Sequence, residues 1–492
     1  TFRLKKEDLK PAGALFEYYK TVLPLHSKLK EFCEKDVENR DTFFVNYAFY
    51  SDGPGTIAVI HIRLLQYEAA LEQYLLELEE LKAILGANHP DVATRLNNVG
   101  YTYGALGNHQ EALRYQLEAL ELSKKVLGQE HPDVATNLNN VGLAYDGLGN
   151  HKEALQYHLK ALELSKKVLG EEHADVARSL NNVGSTYGAL GNHKGALRYK
   201  LEALELWKKV LGQEHPSIAT SLNNVGLAYD GLGNHQEALR YHKEALELWK
   251  KVLGQEHPSI ATSLNNVGLA YDGLGNHQEA LRYHKEALEL WKKVLGQEHP
   301  HVARSLNNVG LAYDGLGNHQ EALRYHKEAL ELWKKLLGQE HPDVAKSLNN
   351  VGGTYGALGK HQEAMWFKLE ALELRKRVLG QEHPLVTTSL SNVGVTYGDL
   401  GEHQKALEYL QKALKLTKKL LGEEHPNVAG IYSNFIEIAC KEAGISPIPI
   451  SAFIERYEIL KEDLSSLNVN VMLFDEFVNL FLFGDNSDFH LS

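Results

Sequence analysis

The chain has 492 residues, too many for one compact core, since such cores stop growing near ~250–300 residues; it must divide into domains or extend in one dimension. With 43% apolar and 24% charged residues it has the make-up of a folded protein rather than a disordered one. Sixty-four acids against 52 bases give a formal charge of −12, which excludes the broad basic footprint that electrostatic binding of nucleic acid needs.

Residues 1–55 open TFRLKKEDLK, with charges and no apolar core, so no signal peptide is read there. They begin on Thr1 rather than Met, as a processed or excised piece would. Two or three helices (roughly Lys5–Tyr19, Pro24–Glu38 and Asp41–Phe49) are predicted between Pro11, Pro24 and Gly53-Pro54, as a cap or as the stump of an upstream effector domain. Residues 56–90 read as a degenerate first unit. Ile57–Leu65 would be its first helix and Tyr67–Pro90 would hold its second, with Ala70, Leu71, Leu85 and Gly86 in register with the later units.

From 91 to 426 a 42-residue unit recurs eight times: Leu96, Leu138, Leu180, Leu222, Leu264, Leu306, Leu348 and Leu390 mark it, and seven of them begin Leu-Asn-Asn-Val-Gly. Gln213–Gly254 is repeated unchanged as Gln255–Gly296. Each unit predicts two helices. The first comes after His-Pro, as at His215-Pro216, where proline suits a first turn because its missing N–H would have no partner there. Ile218, Leu222, Val225, Tyr229 and Leu232 fall at helical spacing, and Gly233-Asn234 stops the helix. The second runs from about Gln236 to Leu253, with Ala238, Leu239, Tyr241, Ala245, Leu246, Leu248 and Val252 on a broad apolar face. One such hairpin cannot bury both faces alone, so neighbouring units must stack into a continuous core.

Residues 427–443 carry one more first helix, Val428–Lys441, without the Asn-Asn-Val-Gly core. Residues 444–492 continue as a Pro-containing linker, Gly444–Ile450, and two helices near Ser451–Leu464 and Met472–Phe483 that read as a C-terminal cap. The longest apolar run, Val469–Phe483, is interrupted by Asp475 and Glu476, which argues against a membrane span. Cys33 and Cys440, far apart, make no disulfide framework, and a reducing, cytoplasmic setting is the natural reading.

Gly226, Tyr229, Leu232 and Gly233 followed by Glu237-Ala-Leu239 form a pattern that resembles the tetratricopeptide repeat. The 42-residue period with its Leu-Gly-x-Glu-His-Pro extension is similar to the kinesin-light-chain and nephrocystin-like subclass. The resemblance spans roughly residues 56–440. It implies an all-α fold, a right-handed α-solenoid (superhelix) of stacked antiparallel helix pairs whose first helices line a concave groove. Asn97, Asn139, Asn181, Asn223, Asn265, Asn307 and Asn349 would then occupy groove positions, with Ser391 the one departure. One turn further on stand Tyr101, Leu143, Ser185, Leu227, Leu269, Leu311, Gly353 and Val395. The chaperone-tail carboxylate clamp of some family members is not expected, because the first set holds no Lys.

A column of Asn can hydrogen-bond an extended peptide backbone without demanding one sequence, or it can bridge neighbouring first helices; two Asn recur, so one of each pair could do each. Asp146, Asp230, Asp272 and Asp314 lie three residues beyond the aliphatic column and would favour a basic or mixed peptide. Trp207, Trp249, Trp291 and Trp333 share one position in four consecutive units. They read first as packing under the next repeat and second as an exposed row for a partner or for self-association. Most of the 25 His fall in two loop series, Glu-His-Pro (from His131) and Gly-Asn-His (from His109), both assigned to the starts of helices. No metal-ligand spacing, nucleophile elbow, phosphate loop or dinucleotide fingerprint is present. The expectation is a scaffold or adaptor without catalysis or cofactor, taking a protein or peptide ligand, with no nucleic acid or membrane as partner. The alternative is a sensor or regulatory arm of a larger multidomain enzyme or signalling ATPase.

Overall fold

The computed structural model describes residues 67–423 and 425–442. The expected helices of 1–55, Ile57–Leu65 and the C-terminal cap lie outside the described residues. Among those described there are eighteen helices and no strand. Helix α1 (Tyr67–Leu85) completes the degenerate unit. Eight pairs come next, each a first helix of 16 residues and a second of 19: α2 (Pro90–Ala105) and α3 (His109–Leu127) begin the series, and α16 (Pro384–Asp399) and α17 (His403–Leu421) end it. A last first helix, α18 (Pro426–Glu442), stands after them.

Local chemistry sets these boundaries. His131 is extended and its Nδ1 accepts from the Asp133 amide at 3.2 Å, with Pro132 behind it in the first turn. The same histidine cap opens every described first helix from His89 to His425. At the other end Gly149 takes φ +78°, and the Asn150 amide reaches back to the Tyr145 carbonyl at 2.9 Å. That left-handed turn is cheap for glycine alone and satisfies carbonyls the helix end would leave open. Leu232, expected at a core position, is exposed because it is the cap residue beyond the last helical turn.

In the Gly-Asn-His series the asparagine does the capping, as where Asn108 Oδ1 accepts from the Glu111 amide. The histidine beside it covers a glycine of the next first helix: a Cβ on Gly147 would fall 2.3 Å from His109 Nδ1. The second histidine series therefore starts each second helix of the eight pairs, as expected, and at His109 also packs against the next repeat.

Within each unit the core repeats as the sequence does. Val99, Val141, Val183, Val225, Val267, Val309, Val351 and Val393 are fully buried in the first helices, and the alanines from Ala119 to Ala413 at the same period are fully buried in the second. Burying each valine stabilises by roughly 1.5–3 kcal/mol. Tyr103 stacks on Tyr115 with centroids 5.4 Å apart, and the pairing recurs at Tyr145–Tyr157 and Tyr187–Tyr199, and at Tyr313–Tyr325 with 5.5 Å.

Two compact units divide the chain. Among the described residues, one runs to Leu232 and includes Lys251–Leu253; the other holds Gly233–Lys250 and those from Gly254. Inside each, antiparallel helix pairs stack in sequence order as an α-solenoid. No helix among the described residues is long and apolar enough to cross a membrane.

Candidate functional site

The first helices carry the candidate site because their outward positions repeat. Two residues after each core valine the side chain turns away from the interior. In the first unit Tyr101, Leu143 and Leu227 are 53%, 48% and 47% exposed there; in the second, Leu269 and Leu311 are 44% and 45% exposed. Single exposed leucines are ordinary, whereas a column of them in fixed register is a contact surface in the making. Between α2 and α4 (Pro132–Gly147) a cleft of about 220 Å³ opens, lined by Tyr101, Gln116, Asn140 and Leu143 among others. Gln116 donates Nε2 to the Asn97 carbonyl at 3.0 Å, while its buried Oε1 has no donor among the described residues.

The asparagines bind the repeats to one another. Asn140 Nδ2 donates to Asn97 Oδ1 at 2.8 Å, and the same step links Asn224 to Asn181, Asn350 to Asn307 and Asn392 to Asn349. Asn434 extends it to Ser391 at 3.4 Å. Asn139 is buried, donates to Ser179 Oγ of the next repeat at 2.8 Å, and accepts from Asn182 at 3.4 Å. Asn265 likewise donates to Ser305 at 3.1 Å. Asn223 is buried too. The side chains expected to meet a peptide backbone thus also bond the following repeat, and both Asn of a pair make stacking contacts.

The aspartates are held in a similar way. Asp146 Oδ1 lies 2.9 Å from His151 Nδ1, its Oδ2 accepts from the Thr186 hydroxyl at 2.7 Å, and His158 Nε2 approaches within 3.4 Å. Asp314 repeats the arrangement with His319, Thr354 and His326. Asp272 sits 2.9 Å from His277 and 3.2 Å from His284. Burial pushes the Asp146 and Asp314 carboxyls up, but the hydrogen bonds from both histidines and the threonine outweigh it and hold them below the ordinary carboxylate range. These acids, Asp230 among them, are half-buried rather than a free acidic rim.

The tryptophans do not form an exposed row. Trp249, Trp291 and Trp333 are buried and Trp207 is half-buried. Trp291 packs with Val302 and Leu306, and Trp333 with Val344 and Leu348, in the first helix of the next repeat. Their large apolar area goes where neighbouring repeats must meet.

A third set of residues has no counterpart among the sequence expectations: His158, His242, His284 and His326, fully buried in the second helices, with Gln116, Lys200, Lys368 and Leu410 at the same position elsewhere. His158 Nδ1 stands 3.3 Å from Asn139 Oδ1, and His326 Nδ1 2.8 Å from Asn307 Oδ1. Each needs the glycine beside it, since a Cβ on Gly142 would lie 2.6 Å from His158. The signal lies in the repeats themselves. Histidine occurs here only in units with Leu at the exposed position and Asp three residues on; the Gly units have Gln, Lys or Leu. Among the described residues no group of three or more His, Cys, Asp or Glu is placed to hold a metal.

The architecture is that of a helical-repeat protein-interaction scaffold. Tetratricopeptide repeat models match seven overlapping segments, from 54–125 to 301–377, and a further one matches 386–427. The chain belongs to the tetratricopeptide repeat family. Among solved structures, BtubC (BKLC) from P. vanneervenii is 22% identical, with 47% of this chain and 92% of that one covered and a TM-score of 0.41. A Podosopora anserina protein described as a kinesin light chain with nearly identical TPR-like repeats is 28% identical, covering 42% and 99%, with a TM-score of 0.37. The apo quorum sensor NprR from B. thuringiensis is 18% identical, covering 74% and 98%, with a TM-score of 0.49. No curated protein matches the chain.

Proposed function

We propose that the exposed face of the first helices captures an extended peptide segment of a protein partner. The observation that carries this reading is the register of Tyr101, Leu143 and Leu227, and of Leu269 and Leu311, each held outward at one period. Apolar side chains in fixed register on a stacked helical face offer repeated contacts along an extended peptide, and the cleft at Tyr101 and Leu143 adds a recess among them. The asparagine and aspartate ladders support the face by fixing the spacing of the repeats. They are positioning residues in this reading.

The test is affinity capture from extract by the wild type beside Leu143→Ser, Leu227→Ser, Leu269→Ser and Leu311→Ser combined. Those positions are exposed, so helicity and melting should hold while bound partners fall at least tenfold. Partners retained in full by the quadruple variant would remove the face from the binding function.

A further inference from the structure

Of the five tryptophans only Trp366 is exposed, at 59%. In α15 (His361–Leu379) it takes the place that arginine holds in most repeats, as at Arg240, Arg282 and Arg324. Those arginines show what the position accommodates. Arg324 Nη2 pairs with Glu321 Oε2 at 2.9 Å, its Nη1 lies 3.9 Å from Glu328, and its Cζ stands 4.1 Å over the Tyr325 ring. Arg240 and Arg282 repeat this, with Cζ 4.0 Å from the Tyr241 and Tyr283 rings. A guanidinium on an aromatic ring, flanked by two carboxylates, is thus a recurring unit of the second-helix surface.

The Trp366 repeat keeps both carboxylates and lacks the cation. Glu363 and Glu370 hold the places of Glu321 and Glu328, three residues before Trp366 and four after it, where side chains of a helix are neighbours. Neither makes an ion pair among the described residues, with Lys360 or any other cation, and Glu370 Oε2 has no hydrogen-bond partner there. The cations further along the helix are committed elsewhere, Lys376 to Glu373 at 2.7 Å and Arg377 to Glu340 at 3.1 Å. Phe367 replaces the tyrosine, and its ring meets that of Trp366 at right angles with centroids 4.6 Å apart. This contact steadies the indole while more than half of it stays in solvent. Indole is the best cation-binding ring among side chains, and two uncompensated carboxylates beside it favour a positive guest over an apolar one.

We propose that Trp366 with Glu363 and Glu370 is a docking site for an arginine side chain on a basic segment of a protein partner. The incoming guanidinium stacks on the indole and pairs with the exposed Glu363, while Glu370 adds its charge, as Arg324 is held within its own repeat. A planar guanidinium suits a ring and a carboxylate together better than an ammonium does. The site is on a second helix and does not depend on the first-helix column.

The experiment measures fluorescence anisotropy of labelled acetyl-triarginyl amide on the full chain at low salt, beside acetyl-trilysyl amide and the uncharged acetyl-tricitrullyl amide. The wild type should bind triarginine at least tenfold more tightly than W366Q. Glutamine stands at the equivalent Gln156, and circular dichroism checks the fold. E363Q/E370Q should lose the same affinity. W366R, which restores the arginine of other repeats, should lose it too by filling the site from within. Trilysine should bind several-fold more weakly, and tricitrulline not measurably. Triarginine bound equally by the wild type and by W366Q or W366R overturns the site and leaves general attraction to a chain of charge −12. Full binding by E363Q/E370Q, or tricitrulline binding as tightly as triarginine, overturns it in favour of an apolar patch. Sedimentation of the wild type as a dimer and of W366R as a monomer makes a second copy the occupant and overturns the basic partner. The variant lacking the four column leucines should bind triarginine as the wild type does. Its failure would move the probe to the first-helix face and overturn the site.

Discussion

Asn140 donates its side-chain N–H to the Asn97 oxygen at 2.8 Å, across the boundary between successive repeats and 43 residues along the chain. Side chains on two first helices are joined there directly, with no backbone involved. The bond sets the spacing and rotation of one repeat on the next, which is what a shared contact face requires.

The first prediction concerns that link. Asn140→Ala or Asn224→Ala leaves an oxygen of the preceding repeat, Asn97 or Asn181, without its donor. Each variant should lose about 0.5–1.5 kcal/mol of stability in urea unfolding while keeping its helical signal. Unfolding curves superimposable on the wild type would show that the ladder contributes nothing to stacking.

Two glycines at related places should respond in opposite directions. Gly142→Ala pushes a methyl to 2.6 Å from the buried His158 ring and should destabilise by about 1–3 kcal/mol. Gly104→Ala places its methyl 3.7 Å from Ala112, an ordinary contact, and should be neutral or stabilise by up to about 1 kcal/mol because alanine favours the helix. Paired melting curves decide it; equal effects would refute the close packing of His158.

Acid should loosen the second unit through His301. Its ring stacks on Trp291 with centroids 4.2 Å apart and faces His299 and Arg304. Burial, then the charges of Arg304 and His299, lower it from 6.5 to about 4. A base whose folded value is depressed binds its proton more readily when unfolded, so its contribution is complete above about pH 6.5 and is lost as pH falls toward 4. Asp146 and Asp314, also lowered, act in the same direction in the more acidic carboxylate range. His301→Ser, the residue at the equivalent Ser217 and Ser259, should flatten the melting temperature between pH 6.5 and 4. An unchanged slope in that variant would exclude His301 as the source.

Much of the fold is legible in the sequence because its determinants are local. Pro132 after His131, Gly149 before Asn150 and the buried valines at one period each act within a turn or two of their own helix, where spacing along the chain is spacing in the molecule. The site is legible only in part. The repeat resemblance puts Leu143 on the outward face, and it is there, 48% exposed. The same reasoning offers Asn139 and Asp146 to a ligand, yet their partners are Ser179 and Thr186, 40 residues on. His158 goes unread because a polar residue on a second helix has no local signature of burial; only comparison between repeats, where it varies together with Asp146 and Leu143, exposes it.

By itself the sequence determined the repeat length, the two-helix unit, its caps and which stripe of each helix is apolar, since all depend on backbone geometry and near-neighbour chemistry. Tertiary structure decided what the polar residues do. An asparagine, aspartate, histidine or lysine can hydrogen-bond water, a ligand or the protein at similar net free energy, so its role depends on which group stands within about 3 Å. Stacking supplies that group from the neighbouring repeat for Asn97 and Asp146 and supplies no carboxylate for Lys200.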